Sequence, residues 1–323
     1  MNLIEKLYTL IIFLAVVLGM SIGQVELIRA NAERFIIPLL VAMLYITFLQ
    51  IPIEEIKNAF KNIKFTYTSV VINFVWTPIL AWLLAMVFLG ENPALYIGFI
   101  MLMVTPCTDW YLVFTGIAKG NVALSTAILP LNLILQVILL PFYLLIFGGT
   151  TGVIELSFLM ESILMVLFIP LVLAFLTKMF LKNKQQLRDN HISNLSVLPI
   201  IFLSLAIVSM FASQGQLLFD NLDLMWKITL PILLFFIVNF IFGQRVGQFM
   251  KFPISDRTSL SLTTLARNSP IALAIAMTAF PDQPLIALTL VIGPLLELPI
   301  LAIITQLLLK IHRDGSTASL RKQ

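Results

Sequence analysis

The chain has 323 residues, 60% of them hydrophobic and only 11% charged, against about 25% charged in an ordinary soluble domain. Its mean hydropathy of +1.03 marks an integral membrane protein, not a soluble one with a greasy core. The formal net charge of +4 does not indicate nucleic acid, because Lys and Arg fall in short connectors between apolar runs and act as topology signals.

One cysteine, Cys107, excludes an internal disulfide and any multi-cysteine metal cage. His191 and His312 both lie in polar connectors, so a His-based centre in the membrane has no ligands and no cofactor is expected. No phosphate-binding loop, nucleophile elbow or H-E-x-x-H pair occurs, which leaves an ATP-driven pump or a membrane hydrolase without machinery.

Crossing the hydrocarbon layer takes an apolar run of about 17–25 residues. Ten such runs follow one another: Leu7–Val25, Phe35–Ile53, Tyr67–Gly90, Ala94–Gly120, Val122–Gly148, Ser157–Leu181, Asn194–Ala212, Leu224–Phe249, Thr258–Phe280 and Pro284–Leu309. The first lacks a cleavage pattern with a polar chain behind it and is read as a retained helix. With the N-terminus inside, sixteen of the twenty Lys and Arg residues fall on inner segments, while the outer loops hold Arg29 and Arg34. Both termini are therefore expected in the cytoplasm, in a plasma membrane. Lys227 and Arg267 are the two left over; Lys227 is near an interface and can snorkel, whereas Arg267 is well inside helix nine.

The basic connector Lys178–Ser193 separates two halves of five helices each. An odd number per half reverses the orientation of the second, the inverted-repeat plan of many secondary transporters. The expected organisation is all-α: one transmembrane domain over residues 1–323, with repeats at about 1–150 and 155–310 and a tail at 311–323. Ala123–Pro130 resembles Ala287–Pro294 at an offset that also carries Pro106 onto Pro270.

Helix four is interrupted at Val104-Thr-Pro-Cys-Thr-Asp-Trp110 and helix nine at Leu265-Ala-Arg-Asn-Ser-Pro270. A backbone break at membrane depth survives only where it is buried in protein or lines a watery cavity. Paired breaks in corresponding positions of two halves point to a transport site with the two broken helices crossing. Pro106 and Pro270 open the backbone, and Thr105, Thr108, Asn268 and Ser269 offer polar groups to the freed backbone or to a ligand. The bland alternative, a kink patched by its neighbours, is weaker for a matched pair with an ionisable residue beside each break.

Cys107 alone reads as packing, but directly after a helix-breaking proline its thiolate is favoured by nearby N–H dipoles. Asp109 reads equally as a cap or a substrate contact. Trp110 and Tyr111 read as cavity wall or packing. Arg267 and Glu297 are costly in a membrane, about 2.5–3.5 kcal/mol each at a helix centre, so each should face a cavity or a partner. Glu297, between Pro294 and Pro299, is placed to exchange a proton near neutral pH. Asn132 and Gln136 lie one turn apart on helix five and share a polar face, with Gln136 read as interhelical glue. Glu161 and Asn239 have no assigned role.

The ten helices, Pro106-Cys107-Thr108, Ala118-Lys119-Gly120 and Glu297-x-Pro299 resemble the bile-acid/arsenite/riboflavin transporter superfamily, and within it the Acr3-type arsenite efflux permeases most closely. That resemblance implies that Cys107 and Glu297 are the functional pair, with Asn132 as the helix-five asparagine. It implies efflux of trivalent arsenic, and of antimonite, by exchange with protons, with Cys107 as a transient arsenic ligand. Soft arsenic favours sulfur, and a single thiolate selects it without trapping it. The chain departs from that pattern at Asp109-Trp110 and at Arg267-Asn268-Ser269-Pro270, where the family has Asn-Asn-Phe-Glu.

The sister sodium/bile-acid symporters suggest coupled uptake of an organic anion, with Arg267 as its anchor. Their sodium-coordinating positions correspond here to Thr263, Arg267 and Tyr111-Leu112. A cation 4 Å from Arg267 would meet repulsion of about 4 kcal/mol at an effective dielectric near 20. A non-transporting sensor or scaffold is the third reading. The expected partners are the bilayer, protons and a small inorganic or anionic solute; the sequence leaves the oligomeric state open.

Overall fold

A computed structural model describes residues 8–51, 55–107, 110–149, 156–181, 197–220 and 222–320. These are overwhelmingly helical: α1 (Tyr8–Ile22), α2 (Glu26–Gln50), α3 (Lys57–Leu89), α4 (Pro93–Val104), α5 (Trp110–Ile117), α6 (Val122–Gly148), α7 (Leu159–Phe180), α8 (Leu198–Asp220), α9 (Leu222–Phe249), α10 (Ile254–Leu265), α11 (Ser269–Ala279) and α12 (Pro284–Leu320). Seven helices among the described residues are long and apolar enough to cross a membrane; α1, α4 and α11 are apolar but shorter. The protein is a multi-pass membrane protein.

Several helices outrun the apolar runs. α2 starts at Glu26 instead of Phe35 and α3 at Lys57 instead of Tyr67. Hydropathy locates the part of a helix that needs lipid. The polar turns beyond it remain helical because Glu, Arg, Lys and Ala are good helix formers and Ala32 and Ala59 still find buried positions.

The chain forms two compact units, each drawing on both halves of the sequence. The first is Met1–Ile51, Gly148–Trp226 and Pro270–Leu295. In it α8 lies along α1 and α2, and α7 packs on α2. Gly19 and Gly23 bring α1 so close to α8 that a Cβ at Gly19 would stand 2.6 Å from the Val208 carbonyl oxygen, and one at Gly23 2.5 Å from that of Ala212. Small residues at such crossings gain van der Waals contact where no hydrophobic drive exists between helices in lipid. Tyr45 and Thr177 join α2 to α7 through their hydroxyls at 3.0 Å, and Lys178 reaches the Ile51 carbonyl. Phe168, Leu173 and Phe180 on α7 remain at least half exposed, as a lipid-facing surface requires.

The second unit is Pro52–Phe147, Lys227–Ser269 and Leu296–Gln323. Phe65 and Ile72 of α3, Ile128 of α6 and Leu260 of α10 form one buried cluster. α3 contains a π turn at Ile72–Trp76. Trp76 stacks on Phe242 of α9 at 4.0 Å, and the Tyr143 hydroxyl of α6 donates to the Phe74 carbonyl at 2.6 Å. Such partners re-satisfy a backbone loosened by a π turn.

α10 is unusual because it is buried yet rich in hydroxyls, with Thr258, Ser259, Ser261, Thr263 and Thr264 all inaccessible. Interhelical hydrogen bonds hold it: Gln244 Nε2 to Ser261 Oγ at 2.8 Å, Asn239 Nδ2 to the Thr264 carbonyl at 2.6 Å, and Asn73 Nδ2 to the Thr263 carbonyl at 3.3 Å.

The contact between α1 and α8 is testable by thermal unfolding in detergent. Gly19→Ala is expected to cost about 1–3 kcal/mol, the range for overpacking. Gly149→Ala, with nothing within 4 Å of a new Cβ, is expected to stay within about 0.5 kcal/mol of wild type.

Candidate functional site

α4 ends at Val104, and Thr105 turns extended, with φ −102° and ψ 99°. α10 ends at Leu265, and Ala266 turns extended likewise, with φ −69° and ψ 137°. The two extended segments pair antiparallel through a bridge between Pro106 and Arg267. The Cys107 N–H donates to the Ala266 carbonyl at 2.9 Å and the Asn268 N–H to the Thr105 carbonyl at 2.7 Å. Each broken helix thus satisfies the other's open backbone where no water is at hand.

The two prolines act differently. Pro106 stands in the extended segment, where it has no N–H to leave unpaired. Pro270 is the second residue of α11, where its missing N–H would have had no intrahelical partner in any case. Thr105 serves the backbone: its hydroxyl donates to the carbonyls of Met101 at 2.9 Å and Leu102 at 3.1 Å.

Cys107, which is in no disulfide, is fully buried in this paired segment. Glu297 of α12 is 3% exposed, and its Oε1 accepts the Arg267 backbone N–H at 2.8 Å. The Cys107 backbone N–H and the Glu297 carboxylate thus bond consecutive residues, Ala266 and Arg267. Asn268 and Ser269 are buried immediately beyond. Asn132 of α6 is fully buried and its Nδ2 reaches Thr263 Oγ1 of α10 at 3.5 Å, a long and weak bond. The structure thus gathers Cys107, Arg267, Asn268, Ser269 and Glu297 at the break and sets Asn132 beside α10. Thr108 and Asp109 lie outside the described residues. Trp110 opens α5.

Arg267 is 1% exposed, and four of its five guanidinium N–H groups are engaged. Nε donates to the Leu265 carbonyl at 3.0 Å, Nη1 to the Met103 carbonyl at 2.9 Å, and Nη2 to Asn73 Oδ1 at 3.2 Å and to the Thr264 carbonyl. The Phe235 ring lies 5.5 Å from the guanidinium carbon, within cation–π reach. Those carbonyls come from the last turns of α4 and α10, so the arginine caps both broken helices at their negative dipole ends.

Asn73 and Asn239 belong to this shell, and neither was assigned a role from the sequence. Asn73 sits in the π turn of α3, between Arg267 and the Thr263 carbonyl; its signal was a lone amide in the apolar run Val71-Ile72-Asn73-Phe74. Asn239 holds the Thr264 carbonyl and accepts from Trp76 Nε1 at 3.2 Å. Gln136, expected to be interhelical glue, finds no partner among the described residues for either amide atom although it is 1% exposed. Among the described residues no group of three or more His, Cys, Asp or Glu side chains is placed to hold a metal ion.

Two helices broken in mid-course, paired through their backbones and flanked by buried ionisable groups on a multi-pass helical scaffold define a membrane transporter, not an enzyme. The model of the Sodium Bile acid symporter family matches residues 37–221, more than half of the chain. The protein belongs to that family. It is similar to the arsenical-resistance protein Acr3 of Corynebacterium glutamicum, at 23% identity over 81% of this chain and 74% of the relative. The Acr3 protein of Alkaliphilus metalliredigens is also 23% identical, over 92% and 90% of the two chains. An uncharacterised transporter of Synechocystis, slr0944, is 25% identical over 99% of this chain and 93% of its own.

The charge arrangement has a measurable signature. Arg267→Met and Glu297→Gln are each expected to lower unfolding stability by about 3–5 kcal/mol, the cost of leaving the other buried charge without its opposite. The double variant is expected to lose less than the sum of the two, and strict additivity in a double-mutant cycle would show that the groups are not coupled.

Proposed function

We propose that the protein is a secondary active transporter that expels trivalent arsenic, as arsenite and also antimonite, from the cytoplasm in exchange for protons. The observation that carries this reading is the buried Cys107, whose N–H bonds the Ala266 carbonyl in the paired helix break while the Glu297 carboxylate accepts the N–H of Arg267, the next residue. The names of the two Acr3 relatives support it.

In this reading the Cys107 thiol attacks the arsenic of As(OH)3. An As–S bond forms, an As–O bond breaks, and the thiol proton leaves with the displaced hydroxide as water. Glu297 relays that proton, and Asn132, Asn268 and Ser269 hold the remaining hydroxyls. Hydrolysis on the outer side reverses the step, and Glu297 carries a proton inward on the return.

The proposal includes ten crossings in two inverted repeats, at about 1–150 and 155–310, with both termini cytoplasmic in the plasma membrane. The twelve residues of α4 with the eight of α5, and the twelve of α10 with the eleven of α11, each make up about the twenty that a crossing needs.

Uptake of an organic anion anchored on Arg267 fits the family description, but most of that guanidinium is already taken by carbonyls and Asn73. In everted vesicles with an imposed proton gradient, wild type is expected to accumulate arsenite. Cys107→Ser is expected to lower the rate by at least an order of magnitude. Cysteine-independent uptake of an organic anion would favour the symporter reading, and no flux of either solute would favour a sensor or scaffold.

The proton step has its own check. Glu297→Gln is expected to uncouple accumulation from the imposed gradient while leaving arsenite-dependent protection of Cys107 from thiol reagents. If the variant still followed the gradient, Glu297 would not carry the proton.

A further inference from the structure

α6 carries polar side chains that no other described residue satisfies. Ser125, Asn132 and Gln136 are spaced seven and four residues apart, two turns and then one, which puts them on a single face of the helix. Their exposures are 0, 0 and 1%. Ser125 Oγ, Asn132 Oδ1 and both amide atoms of Gln136 have no protein hydrogen-bond partner. Ser69 Oγ is in the same condition on α3, which the cluster of Phe65, Ile72, Ile128 and Leu260 holds against α6 and α10.

Buried polar groups left without partners are costly, whereas an apolar residue of similar shape at the same place is not. The rest of α6 is filled with Leu, Ile, Val and Phe. A packing role for the stripe is therefore poor, because Leu would pack better. The stripe also adjoins the helix break: Asn132 reaches Thr263, three residues before the Ala266 carbonyl that holds the Cys107 N–H.

The unused groups share one chemical character. They are two hydroxyls, an amide oxygen and a whole carboxamide, all neutral and together able both to donate and to accept. None of them carries a charge to balance a bare ion, whereas an O–H group, which gives one hydrogen bond and takes others, is complementary to such a mixed set.

The geometry points to a second subsite along α6, centred on Gln136 and Asn132 with Ser125 beyond, that takes the solute as a neutral hydroxyl-bearing acid. This inference rests on the proposed efflux of trivalent arsenic, whose uncharged aqueous form is the triol As(OH)3. Cys107 selects the arsenic by its softness, and the α6 stripe reads the hydroxyls. About 16 Å separates Ser125 from Gln136 along the helix, so the groups act in succession along a path and not as one cage.

The test compares wild type, Cys107→Ser, Gln136→Leu, Gln136→Met and Ser125→Ala in two measurements: arsenite accumulation in everted vesicles and thermal unfolding of the purified proteins. Gln136→Leu and Gln136→Met are expected to unfold at the same or a higher temperature than wild type yet to accumulate arsenite about tenfold more slowly, the worth of one lost hydrogen bond. Ser125→Ala, the smallest change, carries the same expectation and serves if the Gln136 variants do not fold. Wild-type rates in the three stripe variants, with Cys107 dependence intact, would overturn the subsite and leave the proposed function standing. An absence of Cys107-dependent accumulation in wild type would overturn the proposed function, and this inference with it.

Discussion

Two backbone hydrogen bonds, Cys107 N–H to the Ala266 carbonyl and Asn268 N–H to the Thr105 carbonyl, are the constraint on which the rest of the site depends. In hydrocarbon an unpaired peptide group costs several kcal/mol, so a helix cannot simply stop at mid-membrane. Here two helices stop together and complete each other. That solution fixes the register of the break, and the register sets the Ala266 carbonyl, which takes the Cys107 N–H, next to the Arg267 N–H that Glu297 accepts.

A second difficulty follows from the first. The last carbonyls of α4 and α10 converge near the break with no N–H groups of their own helices to bond. Arg267 answers this by donating to the Met103, Thr264 and Leu265 carbonyls, while its positive charge complements two helix C-termini. The burial of an arginine is tolerable because nearly all of its donors are used and Phe235 and Asn73 complete the shell. Arg267 is thereby structural and electrostatic at once. In the proposed function it is the Cys107 thiol and the α6 stripe, not this guanidinium, that meet the moving solute.

Much of this was legible in the sequence because membranes penalise so few things so heavily. Pro106 and the segment around Arg267 stood out as breaks in apolar runs, and Arg267 and Glu297 as charges that needed company; the structure joins them through a backbone N–H. What escaped reading was set by contacts between distant residues. Asn73 appeared as one amide in an apolar run, and neither its π turn nor its bond to Arg267, 194 residues away, leaves a local pattern. Asn239 was visible but without a partner to give it meaning. The polar first turns of α2 and α3 were missed because hydropathy marks lipid contact, not helix ends. Gln136 was misread as glue, since satisfaction of an amide depends on neighbours that spacing does not reveal.

In the proposed function the paired break presents the Cys107 sulfur to arsenic as a ligand. X-ray absorption at the arsenic edge, on purified protein loaded with arsenite, reads the coordination shell directly. One sulfur with the remaining positions filled by oxygen is the predicted shell, and it should turn entirely to oxygen in Cys107→Ser. An all-oxygen shell in the wild-type protein would contradict the account.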